Sequence, residues 1–294
     1  MAVIRSTYHG RLSALAVQTE RLAKRMGRAQ LEASSGLKVF KPSDAPGKVQ
    51  VLHNLRQQRA NQDVYGGNAS WALSLQVAAD DALQQMAEVI SEARELAIQM
   101  SSDTYNAATR IEAAGTAQGL VDRLMIFLNT NVGGRYVFAG EAYDGPAYDP
   151  ATGAYLGSAA DPSTQVSDLL TVRTGYDGSA LLQGGGDVVA AIQNLQAALG
   201  TGVAANVHPS IDELDLALEE LAQARTAVGA DMQRGDDAVS LSESLEMVLA
   251  DQESQIADAD SIQAYTNLFE YQSAYEAAIQ VTANARTNLL FSRI

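Results

Sequence analysis

The 294-residue chain has no cysteine, one tryptophan, six prolines and four lysines. The missing thiols exclude disulfides, thiolate nucleophiles and cysteine-ligated zinc or iron–sulfur centres. No run of about 20 apolar residues occurs, so no segment reads as a membrane-spanning helix. The opening MAVIRSTYHGRLSAL lacks the apolar core of a cleavable secretion signal. Positive charge is scarce: 20 Lys and Arg stand against 35 Asp and Glu, a balance of −15. Such a chain does not offer the basic surface that nucleic acid or anionic lipid requires.

Catalytic vocabulary is equally thin. His9, His53 and His208 lie far apart and fit no HExxH pattern, and GxSxG is absent. Gly184–Gly185–Gly186 lacks the spacing of a phosphate loop and reads as a flexible connection. Asp80–Asp81 and Asp236–Asp237 are helix neighbours pointing about 100° apart, which suits solvated faces better than acid–base work. The central tyrosines Tyr136, Tyr143, Tyr148, Tyr155 and Tyr176 could stack sugars, but half-buried sheet positions fit their β preference better. The sequence predicts no catalytic residue, no metal and no cofactor.

What the chain does have is helical periodicity. The prolines, at 42, 46, 146, 150, 162 and 209, leave 47–145 and 210–294 free for long helices. Tyr8, Leu12, Leu15, Thr19, Leu22, Met26, Ala29 and Ala33 step by four and three, a coiled-coil seam. Leu268, Tyr271, Tyr275, Ala278, Thr282, Ala285 and Leu289 do the same, and the register extends back through Ala264, Ser261, Ala257, Ser254 and Ala250 to Met247. A third seam runs Leu75, Ala79, Ala82, Met86, Val89, Ala93, Leu96, Met100, and a weaker one Ile111, Ala114, Val121, Met125, Leu128. The terminal seams are rich in Ala, Ser and Thr, so each buries little by itself and its order depends on neighbours. Residues 1–60 carry eleven basic and three acidic side chains, whereas 231–260 holds nine acids and only Arg234. A basic start could therefore meet an acidic finish, within one chain or between neighbours.

From Gly133 to about Gly186 the helical period gives way to glycine, turn residues and short alternation at 135–138 and 169–173. Asp187 is placed to cap a following helix, and Ser210 with Glu213 forms a capping-box pattern for the next. The predicted fold is mainly α with a small β insertion. Both termini form long antiparallel helical coiled coils, and a central mostly-β domain is inserted. The expected division is 1–40 with 255–294 as terminal domain, 41–134 with 186–254 as helical bundle, and 135–185 as an outward-facing β-rich domain with Tyr148 in one of its turns.

Three stretches carry a family resemblance. Ser35-Gly-Leu-Lys-Val-Phe-Lys-Pro-Ser-Asp-Ala-Pro46, Asn131-Val-Gly-Gly-Arg-Tyr-Val-Phe-Ala-Gly140 and Tyr271-Gln-Ser-Ala-Tyr-Glu-Ala-Ala-Ile279 resemble the flagellin superfamily of bacterial flagellar axial proteins. The second stretch, with the Tyr148–Tyr155 turn after it, is most similar to the hook–filament junction members. Ala45 departs from an aspartate usual in the first stretch, which removes one capping contact and leaves the turn. The resemblance implies a non-enzymatic subunit, exported through the flagellar type III channel without a cleaved signal and located outside the cell. It implies assembly with copies of itself in a ring or helical tube, another hook-associated protein on the hook side, flagellin on the filament side, and an export chaperone. It places the assembly interface on the terminal helices, at Leu12, Leu15, Leu22, Met26, Leu268, Tyr271, Tyr275 and Leu289. The alternatives are a filament flagellin, an intracellular coiled-coil scaffold and a glycan-binding module.

Overall fold

The computed structural model describes residues 2–182 and 187–291. Seven helices occur among them: α1 (Ala2–Ser35), α2 (Val49–Ser101), α3 (Ala107–Leu128), α4 (Gly178–Leu182), α5 (Val188–Gly200), α6 (Ala204–Ala257) and α7 (Ser261–Phe291). Four strands, β1 (Asn131–Val132), β2 (Arg135–Tyr136), β3 (Ser163–Gln165) and β4 (Thr171–Arg173), form two antiparallel pairs, β1–β2 and β3–β4. The longest helices, of 53 and 54 residues, are α2 within the first proline-free stretch and α6, which starts ahead of Pro209 and runs through the second. The chain divides into a terminal unit, residues 1–60 with 247–294, and a body, 61–246.

In the body, α2 and α6 run antiparallel. Gln62 donates to Ser242 at 2.9 Å, Arg225 grips Asp80 at 2.9 and 3.1 Å, and Arg94 pairs with Asp215. Asp80 is therefore ion-paired and not merely solvated. Such exposed pairs contribute about 0–1 kcal/mol each and mainly fix register. Burial does most of the work. The seam from Leu75 to Met100 is enclosed throughout, Leu96 alone being half-buried, together with Leu120, Leu124, Leu128, Ile192, Leu195 and Leu221. The weaker α3 seam holds in its second half, where Val121, Met125 and Leu128 are buried, and is off by one residue in its first. Ile111 is exposed, and the buried face is Arg110, Ala113, Ala117, Leu120, Val121, Leu124, Met125 and Leu128. The alanines on that face gave too little hydrophobic contrast to mark it.

Arg110 is a buried cation whose hydrogen bonds all go to backbone. Nε donates to Met100 O at 2.8 Å, Nη2 to Ser102 O at 2.8 Å and Nη1 to Gly202 O at 3.3 Å. It closes the C-terminal end of α2, where carbonyls lack helical partners and cations are favoured. Arg110→Ala strands three carbonyls and is expected to cost about 2–4 kcal/mol. Thermal unfolding followed by circular dichroism should show the drop; an unchanged midpoint would mean the clamp carries no stability.

The centre is less regular than expected. Strands of two or three residues are joined by turns, bridges pair Ala139 with Asp177 and Tyr148 with Tyr155, and α4 is a single turn. Glycine and proline interrupt the alternation too often for longer strands. Gly133 and Gly134, at φ 60° and 89°, make the two-residue turn of the β1–β2 hairpin, a conformation L side chains resist. A Cβ on Gly140 would lie 2.3 Å from Ser158 O, so the close backbone approach there requires glycine. Between these glycines Val137, Phe138 and Ala139 enter the same core as the helices.

Tyr148 departs from its expected place in an outward turn. It is fully buried, donates to Gly178 O at 3.0 Å and meets Tyr155 edge-on at 5.2 Å. Tyr176 is buried too, while Tyr136, Tyr143 and Tyr155 are half-buried. Burial pushes the Tyr148 and Tyr176 hydroxyls well above the ordinary phenol range. Their folded values exceed the unfolded value of about 10, so this stability is full below that pH and declines as pH rises further. In an alkaline titration read at tyrosinate absorbance, these two are expected to ionise only as helical ellipticity disappears. Ionisation of all eleven tyrosines before any unfolding would refute that.

Two helix boundaries differ from expectation. Asp187 does cap α5, accepting from Val189 and Ala190 N–H at 3.0 Å each. The next helix starts at Ala204, however, and Ser210 is buried inside it. Pro209 is tolerated because it falls in the second turn and forfeits a single backbone bond. Glu213 instead accepts from Asn194 at 2.9 Å, tying α6 to α5. Farther on, the register from Met247 to Leu268 is not one helix. It breaks at 258–260, where Asp260 caps α7 through Ile262 and Gln263 N–H, and Met247 and Ser261 are exposed. Gly184–Gly186 lie outside the described residues.

Candidate functional site

The terminal unit is built on α1 and α7, which pack along one another. Their direction is set by the connection at one end. Lys38 N donates to Ala257 O at 2.7 Å, Ala259 N donates to Gly36 O at 2.8 Å, and Leu37 bridges Asp258. Toward the other end, Ala16, Thr19 and Ala23 share a groove with Tyr275, Ile279 and Thr282. The pair is therefore antiparallel.

The seams read from sequence are the sides that turn away from solvent. Ala29 and Ala264 are buried, and Leu15, Thr19, Leu22, Met26, Leu268, Tyr271, Tyr275, Ala278 and Thr282 are half-buried. The flanking positions are mostly exposed. The side chains of Leu12 and Leu289 lie outside the described residues. Among the described ones, the structure brings the expected assembly residues together within a single chain. Alanines and threonines leave the groove open, with a volume of about 470 Å³. A seam that ends half-buried is incomplete as a core.

The loop after α1 is organised by Asp44. Its carboxylate accepts from Phe40 N at 3.1 Å and Lys41 N at 2.9 Å around a 3-10 turn at Pro42–Asp44. These bonds, Lys41 N–H above all, hold the Asp44 carboxyl below its usual range. The departure at Ala45 leaves this turn intact. Farther along, Arg56 and Arg59 converge on Glu253, each at 2.7 Å. Their hydrogen bonds, first from Arg56 and then from Arg59, lower the Glu253 carboxyl. Here the basic start does meet the acidic finish within one chain. Sequence charge suggested the meeting without selecting these three residues, because many equivalent charges surround them.

Outside the seam, sequence reading overlooked a set of exposed apolar side chains: Val17 and Leu31 on α1, and Ile262, Tyr265 and Phe269 on α7. Ile262 and Phe269 are seven residues apart, a spacing that could have revealed a second stripe. Among the described residues no cluster of His, Asp or Glu could hold a metal, and no helix is long and apolar enough to cross a membrane.

Helices contributed by both ends of the chain, and a helical body that carries a Gly-Gly hairpin, are features of a known family. The bacterial flagellin N-terminal helical region matches residues 11–142 and the C-terminal helical region matches 211–290, together well over half of the sequence. The chain belongs to the flagellin family, whose members are structural and not enzymatic. Within it, flagellar hook-associated protein 3 of Salmonella typhimurium is 29% identical over 151 residues, 51% of this chain and 48% of the relative. The chain thus spans about half the length of that curated relative. Flagellin of Listeria monocytogenes is 21% identical over 264 residues, 88% of each chain. The crystal structure of flagellar hook-associated protein 3 from Legionella pneumophila superposes with a TM-score of 0.61 at 13% identity, covering 69% of this chain and 98% of that one, a likeness of fold.

Proposed function

We propose that the protein is a structural subunit of the bacterial flagellum, forming the junction between hook and filament. The observation that carries this reading is the terminal helix pair with its half-buried seam, attached to a body whose core is complete without it. Such ends suit a subunit that finishes folding among its copies. In this reading Leu12, Leu15, Leu22, Met26, Leu268, Tyr271, Tyr275 and Leu289 build the helix pair on which assembly depends. Residues 135–185 stand on the outward side of the subunit, and the terminal coils of 1–40 and 255–294 line the inner tube. The subunit contacts copies of itself, another hook-associated protein toward the hook and flagellin toward the filament. It leaves the cell through the flagellar export channel with a chaperone. The absence of disulfides removes one obstacle to threading an unfolded chain.

A second reading, filament flagellin, is favoured by the long span shared with the Listeria protein. An antibody against residues 141–183, applied to intact flagella in the electron microscope, separates the two. Label confined to the hook–filament boundary is expected. Label along the filament would establish flagellin, and no label on flagella would overturn both.

A further inference from the structure

The body carries a further cavity, of about 490 Å³, which draws its lining from α2, from β2 and the turn after it, and from the segments around β3 and β4. We infer that this cavity is a binding site for a carboxylated sugar, with Arg135 taking the carboxylate and Glu141 and the nearby side-chain hydroxyls taking the sugar hydroxyls.

Arg135 sets the geometry. Its guanidinium carbon lies 3.5 Å from the centre of the Tyr143 ring and 4.8 Å from that of Trp71. Cation–π attraction to these rings fixes where the guanidinium sits. Among the described residues Arg135 makes no ion pair and no side-chain hydrogen bond, and its Nε is buried without an acceptor. Stacking offsets that unmade bond and leaves the two Nη groups for a ligand. A planar guanidinium fork held in this way matches a carboxylate with two parallel hydrogen bonds.

The remaining walls are also without partners. Glu141 is exposed and its carboxylate is unpaired among the described residues. Ser163, Thr164 and Thr174 keep unbonded hydroxyls there, Thr174 although it is only 5% exposed. Asp161, by contrast, is committed: it accepts from Asp177 N–H at 2.8 Å and pairs with Arg173 at 3.3 Å. Hydroxyls donate and accept while a carboxylate only accepts, so this set suits a ligand bearing several hydroxyl groups. A bare inorganic anion would meet the Glu141 charge with no donor to offer it; a sugar acid presents its hydroxyls on that side. Trp71, 38% exposed, adds an apolar ring surface against which the C–H side of a sugar packs. The space lies within the usual range of small-molecule sites and suits a mono- or disaccharide. Every residue named belongs to the body, 61–246. The site needs no neighbouring copy and does not depend on the place of the subunit in a flagellum.

Trp71 is the single tryptophan of the chain, so its emission reports on this cavity alone. The full-length protein is titrated with glucuronate, with a galacturonate trimer, with glucose and with acetate. Calorimetry on the same samples reads any binding that leaves the emission unchanged. Glucuronate and the trimer are expected to bind saturably, and glucose and acetate about tenfold or more weakly. Either order of affinity between the two acids bears the inference out: a tighter trimer marks a polysaccharide as the source, a tighter monomer a free sugar acid. Arg135→Lys keeps the charge but not the fork and should weaken glucuronate binding about tenfold. Glu141→Ala alters an exposed side chain and should keep the native circular dichroism and melting midpoint. It should weaken glucuronate about fivefold and leave acetate no weaker. Where Arg135→Lys fails to fold, Glu141→Ala decides. A stack that only pins β2 to α2 predicts no binding of either acid, and that result would overturn the inference. So would acetate as tight as glucuronate, which marks a simple anion site, glucose as tight, which marks a neutral-sugar site, or native affinity in Glu141→Ala.

Discussion

Removal of residues 1–35 and 260–294 together is expected to leave a folded body that no longer assembles. The main core cluster runs from Leu75 to Val228 and lies wholly inside 61–246. Its smaller companion, Ala69, Ala72, Val166, Val172 and Ala238, seats the β3–β4 hairpin on α2 and α6 within the same span. Neither cluster contains a residue of α1 or α7. Burying side chains such as Met86, Leu124 and Ile192 contributes about 1.5–3 kcal/mol each, none of which the deletion touches. The helical signal should fall only by the helices removed, and the unfolding midpoint of the remainder should stay close to that of the full chain. Sedimentation should find a monomer at concentrations where the full chain associates. A truncated protein that aggregates unfolded, or one that still enters flagella, would show that the ends and the body are not separable in this way.

How much of this was legible in the sequence depends on contrast. The α2 seam was plain because Leu75, Met86, Val89, Leu96 and Met100 at its positions stand out against the Gln, Glu and Asp between them. The α1 and α7 seams were readable from step size even though their residues are small. The α3 face was readable only at Val121, Met125 and Leu128, because Ala113 and Ala117 in its first half offer little contrast with exposed positions. The break at 258–260 was hidden because no glycine or proline marks it; only Asp260 before Ser261 hints at a cap. In the centre, turn residues announced irregular chain correctly, but short alternation at 135–138 and 169–173 overstated the strands. Tyr148 was misplaced for the same reason: its neighbours Asp149 and Pro150 are turn chemistry, while the ring itself fills the core. On α1 and α7, spacing identified which side of each helix is sheltered. It did not show that the sheltered sides meet within one chain, since periodicity carries no information about the partner.

The helix pair is expected to form only under assembly. In a verified monomer, backbone amides across Leu12–Ala33 and Leu268–Leu289 should exchange with solvent almost as fast as in an unfolded chain. Those of α2 between Ala79 and Ala97 should be slowed about 10⁴-fold or more, the range that global unfolding sets for a stable core. Ordering a residue's backbone costs about 1–2 kcal/mol. Against that, the seam offers Ala29 and Ala264 fully buried and Leu22, Met26, Leu268 and Tyr271 only half-buried, beside an open groove. The bridge from Lys24 to Glu20 joins exposed side chains on one helix and does not link the two. Salt screens exposed charges beyond about 8 Å at physiological strength, so long-range attraction between a basic α1 and an acidic α7 adds little in the cell. Packing from neighbours must supply the difference, which couples the order of the ends to polymerisation. Protection across both segments as strong as in α2, measured on a monomer, would show that the pair folds unaided and that assembly draws on some other source of free energy.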